Sequence, residues 1–461
     1  TYSFKIKQHF LSNLAYKMFE KNEYYFSREE FNDFVYQYHK TKGYKESESR
    51  FSTLFFEKGI LSISDDNIVF SHTSILEFYL AEYARNNEEF LNFMIQKGNR
   101  IHFKNEICFY SGLVPDCKKL LDGMADTIIE AIMKNIGIVD TLNNIEIITD
   151  FKIEKDELIK TLEENRPTQK EIDDMSNNSQ KEITPDEFSK KKSPVLLENK
   201  QNLQDSESIK EKVAQEEAED FYLLVSIYGS ILKNAELLDN SYKVQHLENY
   251  MYAMNILLGE IFALSENIKK EISFEDYIEE NQEEGENLTQ EDFEKSKELF
   301  LEMIKVSFPI ALQHVILENV GTPKLEVAID ELMEQKKYKP FEKFMLEFLK
   351  CDLNVGNVIP ELHRYIQKET SEGIIKLIIM KLLFYYRMRF FGTNKQIYNG
   401  ILDLIIEAQI KLNMNKDLTK VLKGNKSLVR KELAKQIENN PNLNFDTYNS
   451  LTPNWYYKVL R

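Results

Sequence analysis

Residues 51–70 read FSTLFFEKGILSISDDNIVF, and this stretch gives the clearest signals of the fold in the N-terminal part of the chain. Phe51 and Phe55 lie at helical spacing, and Gly59 suits the left-handed residue with which many helices end. Two short apolar runs then flank the turn-forming tetrapeptide SDDN, which predicts a β-hairpin over residues 60–70. The stretch therefore predicts a helix that is followed directly by a hairpin.

Two further helices are predicted upstream of this stretch. Residues 4–20 have a helical pattern of apolar side chains. Ser27 and Glu30 form an S-x-x-E capping box, so a second helix should begin there. The order helix, helix, helix and hairpin is that of a winged-helix domain, which we assign to residues 1–85.

The pattern after the hairpin remains helical. Ser74 and Glu77 repeat the capping-box spacing, which predicts a helix that packs back at once, with Glu77 opposite its apolar face. A helical domain should follow over residues 86–165, broken at 112–116 and at Gly137.

Composition divides the rest of the chain. Residues 166–208 are too polar to bury a core, which predicts a disordered linker or insertion. Two long helical segments predict a helical hairpin over residues 209–278, and residues 279–288 form an acidic linker. Successive helices over residues 289–461 predict a helical-repeat sensor domain without a recognised repeat consensus. The predicted fold class is all-α: a winged-helix domain with a short β-hairpin, followed by an irregular α-solenoid.

Charge and cysteine content exclude several classes of function. A formal net charge of −17 argues against a generally nucleic-acid-binding surface. Three widely spaced cysteines do not make a disulfide framework, which suits the cytoplasm. The most apolar window, residues 374–391, predicts a buried helix rather than a membrane span, because four charges interrupt it. These charges are Lys376, Lys381, Arg387 and Arg389.

Residues 69–81, VFSHTSILEFYLA, resemble the end of the winged-helix domain in NACHT-type STAND NTPases. In that family a pattern like F-x-H-x-S-x-x-E-F-x-A-A follows the hairpin. The matching residues are Phe70, His72, Ser74, Glu77, Phe78 and Ala81. Leu80 departs from the pattern, since it stands at the first of the two small positions. Residues 14–19 and 54–61 also look like stretches of the family, and the resemblance covers residues 1–110.

The resemblance implies that His72 contacts the phosphates of bound ADP and holds the protein closed. His72 lies just before a predicted helix N-terminus, where free backbone N–H groups and the helix dipole favour an anion. An alternative is that His72 bonds a backbone carbonyl at the exit of the hairpin.

The family also requires a G-x-x-x-x-G-K-[ST] phosphate loop, which this sequence lacks. Residues 423–427, KGNKS, come nearest, but they have no first glycine at the required spacing. We therefore expect the nucleotide-binding core, with most of the contacts to ADP or ATP, to lie upstream of Thr1. This chain alone should not hydrolyse ATP.

No catalytic residue and no metal site are predicted. None of the seven histidines lies in an H-x-x-x-H pattern or beside a C-x-x-C pattern. Cys117 follows Asp116 near a helix start, a setting that can lower the pKa of a thiol, and His102 is nearby in sequence. A packed thiol is the preferred interpretation of Cys117.

The leading hypothesis is the regulatory and ligand-sensing C-terminal portion of a STAND/NACHT-type signalling NTPase in antiviral (antiphage) defence. By resemblance, the winged helix restrains the ADP-bound closed state and the helical array binds a protein ligand, for example a viral one. Activation then leads to self-oligomerisation, without nucleic acid or a membrane. The alternative is a winged-helix and helical-repeat scaffold that binds protein or DNA without a nucleotide switch. Its recognition helix would be residues 50–58, which carry few cations.

Overall fold

The computed structural model describes most of the chain. The described residues are 2–44, 47–142, 208–271, 289–335, 338–353, 357–387 and 394–412, with residues 390, 430, 433, 434 and 437. They are mostly helical, with a small antiparallel sheet of three strands. This confirms the predicted all-α class with a short hairpin and a helical array. The predicted linkers up to residue 207 and at 279–288, and the KGNKS stretch, lie outside the described residues.

The elements are named here in chain order. They are α1 (Phe4–Lys21), β1 (Phe26–Ser27), α2 (Arg28–Lys42), α3 (Glu48–Glu57), β2 (Leu61–Ser64), β3 (Asn67–Phe70), α4 (Thr73–Arg85), α5 (Glu88–Ile95), α6 (Lys104–Leu113) and α7 (Lys118–Leu142). The remaining helices are α8 (Ser208–Asn234), α9 (Asn240–Glu271), α10 (Gln290–Val320), α11 (Glu326–Glu334), α12 (Pro340–Leu353), α13 (Val358–Lys368), α14 (Glu372–Arg387) and α15 (Lys395–Leu412).

The described residues form two compact units. One unit consists of residues 2–124 and 208–238, and the other of residues 125–142 and the described residues from 239 onward. The two long helices predicted as a hairpin are present as α8 and α9. In the first unit α8 packs on α6, and in the second unit α9 packs on α10 and α11. The predicted domain boundaries stay predictions.

Local chemistry explains where the first helices begin and end. The predicted capping box is present: the Glu30 amide donates to Ser27 Oγ at 3.2 Å, and the Ser27 amide donates to Glu30 Oε2 at 2.8 Å. α3 ends at the predicted place, where Gly59 adopts a φ of 63°. Such a positive φ strains a residue that has a Cβ atom, which explains the glycine.

The hairpin is also present as predicted. β2 pairs antiparallel with β3, from Leu61 opposite Phe70 to Ser64 opposite Asn67. Asp65 has a positive φ, as has the residue after it, which suits the twist of a two-residue hairpin turn. β3 also pairs with β1, so the strand order is β1-β3-β2. The sequence did not predict β1, because two residues are too few to show an alternating pattern.

Aromatic rings fill the core of the first unit. Phe10 of α1 is fully buried, stacks on Phe55 with ring centroids 5.2 Å apart, and meets Phe51 edge-on at 5.0 Å. On the other side of α1, Tyr16 stacks on Tyr83 of α4 at 3.9 Å. Helix α4 packs on α1, α5 and α6, so it lies inside the unit rather than at its edge.

Helices of the second unit pack against neighbours close in sequence. α12 contacts α10, α11, α13 and α14, and α15 packs on α13 and α14. α7 is one continuous helix, so the predicted break at Gly137 is wrong. A single helical glycine costs only ~1 kcal/mol relative to alanine, and tertiary packing offsets that amount. Ile138, the residue after Gly137, is part of this packing. Its Cγ2 atom lies 2.1 Å from the position that a Cβ atom on Gly259 would occupy.

Candidate functional site

The candidate site begins where the chain leaves the sheet. The Ser71 amide still donates to the Ile60 carbonyl at 3.0 Å, so His72 is the first residue that can turn away. His72 is the N-cap of α4, with an extended backbone, and its carbonyl accepts from the Ile75 amide at 3.0 Å. The predicted capping box that starts at Ser74 is therefore wrong. The end of the sheet, rather than the serine, determines where α4 begins.

The imidazole of His72 is exposed and makes no structural hydrogen bond in the described part of the chain. It makes no capping hydrogen bond, and no bond to a backbone carbonyl at the hairpin exit is present among the described residues. The first turn of α4 also has backbone N–H groups that lack helical partners, as at every helix N-terminus. An exposed imidazole beside such a turn can donate a hydrogen bond to an anionic group.

Glu77 is buried, although the sequence places it opposite the apolar face of α4. Its exposed fraction is 6%, and Asn105 Nδ2 donates to Glu77 Oε1 at 2.9 Å. The side of α4 that carries Glu77 is covered because α6 packs against it. The sequence showed only one apolar face, whereas α4 is covered by α1, α5 and α6.

A charged cleft lies elsewhere in the first unit, beside α1 and α2. Its volume is about 480 Å³, and its lining residues are Lys17, Glu20, Lys21, Phe26, Glu30, Asp33 and Phe34. Lys17 pairs with Glu20, and Lys21 bridges Glu23 at 2.5 Å and Glu30 at 2.6 Å. Because both lysines are already neutralised by carboxylates, the cleft is poorly suited to a phosphate group.

Helix α3, the DNA-recognition helix of the alternative hypothesis, packs aromatic side chains in the core. Phe51 and Phe55 of α3 are at most 1% exposed. Residues 48–58, which are α3 and its C-cap, contain two cations, Arg50 and Lys58, and two carboxylates. A surface that binds phosphates by releasing counterions needs an excess of cations, which α3 does not have.

The Cys117 thiol is a packed group. It is 1% exposed and donates to the Ser111 carbonyl with a distance of 3.2 Å from sulfur to oxygen. Burial, and then the Asp116 carboxylate, raise the pKa of Cys117 to about 11. A thiol with a raised pKa is a weak nucleophile, which agrees with the preferred interpretation. His102 is exposed.

The second unit has a buried polar cluster that sequence reasoning missed. Lys381 of α14 is 1% exposed, and its Nζ lies 3.5 Å from Asp352 Oδ2 of α12. The Tyr385 hydroxyl donates to the other carboxylate oxygen. Burial lowers the pKa of Lys381 and raises the pKa of Asp352. This cluster is closed to solvent, so we assign it to structure. Its one signal in the sequence was a lysine within the most apolar window.

Glu347 of α12 is a second perturbed group. Burial, and less strongly the carboxylate of Glu361, raise the pKa of Glu347 to about 7, although Lys350 acts in the opposite direction. Lys350 is shared by Glu361 at 3.2 Å and Asp330 at 2.6 Å. Glu347 therefore changes its charge near neutral pH at the junction of α12 and α13.

Comparison with known proteins gives one finding for the first unit. Residues 24–80 match the family model described as Novel STAND NTPase 4. The matched segment holds β1, α2, α3, the hairpin and the first part of α4, including His72 and Glu77. No curated protein and no solved structure matches the chain significantly. None of the described helices is long and apolar enough to cross a membrane. Over these residues the chain is similar to the STAND NTPase family.

Proposed function

We propose that this chain is the regulatory and ligand-sensing portion of a NACHT-like STAND signalling NTPase that acts in antiviral (antiphage) defence in the cytoplasm. One observation carries the proposal: the segment that matches the STAND family ends on a helix whose N-cap is an exposed histidine, His72. The resemblance of residues 69–81 to the NACHT-type pattern points to the same residue.

Residues 2–85 act as a winged-helix domain in this proposal. The chain order α1, β1, α2, α3, β2, β3 supports it, because the third strand β1 joins the hairpin in one sheet. The domain ends on α4, so a ligand held at His72 is held by a helix that packs inside the unit. The ADP-bound state is then restrained through α4.

Nucleotide binding depends on a further domain in this proposal. An upstream core supplies the phosphate loop and most contacts to ADP or ATP, and His72 adds one donor to the phosphates. Exchange of ADP for ATP breaks the restraint and favours an open state that self-oligomerises. This chain contributes regulation and no hydrolysis.

The helical array of the second unit is the proposed sensor. Stacked helices present extended surfaces that suit a protein ligand, for example a viral protein. The second candidate is a scaffold that binds protein or DNA without a nucleotide switch. Because α3 has no excess of cations, the first candidate is favoured over a DNA-binding scaffold.

The decisive experiment uses the protein expressed with its upstream reading frame. We expect ADP to co-purify with it, and His72→Ala to speed ADP release at least tenfold, because one charge-assisted hydrogen bond is worth ~1.5 to 3 kcal/mol and ~1.4 kcal/mol is a factor of ten. His102→Ala is the matched control, since His102 is also exposed and lies outside the matched segment. ADP release that is equal in both variants would overturn the role of His72.

A gel-shift titration with duplex DNA tests the second candidate on the same protein. Tight binding that weakens steeply with salt, without bound nucleotide, would favour the scaffold.

A further inference from the structure

Glu77 ties α4 to α6 by a hydrogen bond that is buried at its carboxylate end and comes from the exposed side chain of Asn105. Its carboxylate is 6% exposed and accepts from Asn105 Nδ2 at 2.9 Å. A buried carboxylate is costly unless it is hydrogen-bonded, so this contact holds α4 in one rotational setting on α6. His72 lies five residues before Glu77, at the start of the same helix. The anchor therefore lies close to the candidate phosphate contact.

The other end of α6 is bonded to α8. Asn234, the last residue of α8, donates through Nδ2 to Ser111 Oγ at 2.9 Å and to the Cys108 carbonyl at 3.4 Å. Residue 234 lies only four residues before the end of the first unit at residue 238. The ten-residue helix α6 thus has a directional bond to α4 near its start and to α8 near its end.

We propose that Glu77 and Asn105 are positioning residues for His72, and that α6 transmits a displacement of α8 to the first turns of α4. A short helix moves as one body, and directional hydrogen bonds at both of its ends add to its packing against the two neighbouring helices. The purpose of the link, control of a nucleotide contact, rests on the proposed function of His72. The mechanical link itself does not.

The Glu77–Asn105 bond is tested by a reciprocal exchange in the 461-residue chain. Asn105→Asp puts two carboxylates in contact, whereas Glu77→Gln together with Asn105→Asp restores a donor and an acceptor with their ends exchanged. We expect backbone amides of residues 73–80 to exchange hydrogen about tenfold faster in the single variant, and near the wild-type rate in the double variant.

The control is Asn135→Asp, because Asn135 bonds the Ala131 carbonyl within α7 and should leave residues 73–80 unchanged. Unchanged exchange in Asn105→Asp would overturn the anchor. So would failure of the double variant to recover, provided that its far-UV circular dichroism matches that of the wild type.

The transmission through α6 is tested by a double-mutant cycle. Asn234→Leu removes the bonds from α8 and should also speed exchange at residues 73–80. In the Asn105→Asp background the same change should add little, because the link is already broken. Additive effects of the two substitutions would show that α8 does not act through α6.

The role in nucleotide binding is tested separately, by measuring ADP release from the protein expressed with its upstream reading frame. Faster ADP release from Asn105→Asp, recovered by the double variant, is the result expected if both inferences hold. If the exchange response is present but ADP release does not change, the link stands and His72 is not the contact. If no nucleotide binds at all, the proposed function fails while the exchange experiment still decides the link.

Discussion

Single residues show how far burial, rather than residue type, determines chemistry in this protein. In the sequence Lys381 is a charge that interrupts an apolar window, and in the structure it is 1% exposed. Its partner Asp352 lies on another helix, at a sequence distance that no periodic pattern reveals. Removing one member of such a buried pair leaves the other charge buried without a partner, whereas the intact pair is tolerated. Sequence could locate the buried helix but not the partner.

Glu347 gives stability a pH dependence. Its pKa in the folded protein is about 7, above the usual 4.5, so the folded state holds the proton more tightly than the unfolded state. Stability should therefore fall as the pH rises from about 4.5 to 7 and then level off, with a total loss of at most ~3.5 kcal/mol because one pKa unit is worth ~1.4 kcal/mol.

Glu347→Gln should remove this loss, because glutamine resembles the protonated acid and does not ionise. We expect the variant to unfold at a higher urea concentration than the wild type at pH 8, and at a similar one at pH 5. Glu334→Gln, at an exposed position of α11, should show no such difference. Equal midpoints of wild type and Glu347→Gln at pH 8 would refute the assignment.

At the scale of elements, the sequence predicted the boundaries that local chemistry sets and missed those that tertiary contacts set. The capping box at Ser27 and the helix stop at Gly59 depend on neighbouring residues alone, and both are present. The start of α4 depends on pairing with Ile60 across the hairpin, so the spacing of Ser74 and Glu77 does not mark the cap. The uninterrupted helix through Gly137 likewise depends on packing.

Two serines with the same S-x-x-E spacing make this difference measurable. Ser27→Ala should lower the free energy of unfolding by ~1 kcal/mol, the usual cost of a lost N-cap. Ser74→Ala should change it by less than ~0.5 kcal/mol, because Ser74 is exposed and caps no helix. Urea unfolding of both variants checks this pair. Similar losses would mean that α4 begins at Ser74 after all.

At the scale of the whole molecule, the first unit is assembled from two distant parts of the chain. Residues 208–238 complete a unit that begins at the N-terminal end of the described chain. Helical periodicity predicted α8 but not its partner, because the pattern shows that a helix has an apolar face and not which surface covers it. The buried face of α8 includes Val225, Tyr228 and Ile231, each 0% exposed.

This division predicts that two equally buried tyrosines act on different units. Tyr228→Ala in α8 and Tyr250→Ala in α9 each remove a ring that is 0% exposed, at a cost of ~3 to 5 kcal/mol. Because α8 packs on α6, Tyr228→Ala should speed hydrogen exchange over residues 88–113 and spare residues 340–412. Tyr250→Ala should spare residues 88–113, since α9 packs on α10 and α11. If either substitution removed protection from both regions, the described residues would unfold as one cooperative body. The loss of the Tyr228 ring would then not act specifically through the packing of α8 on α6.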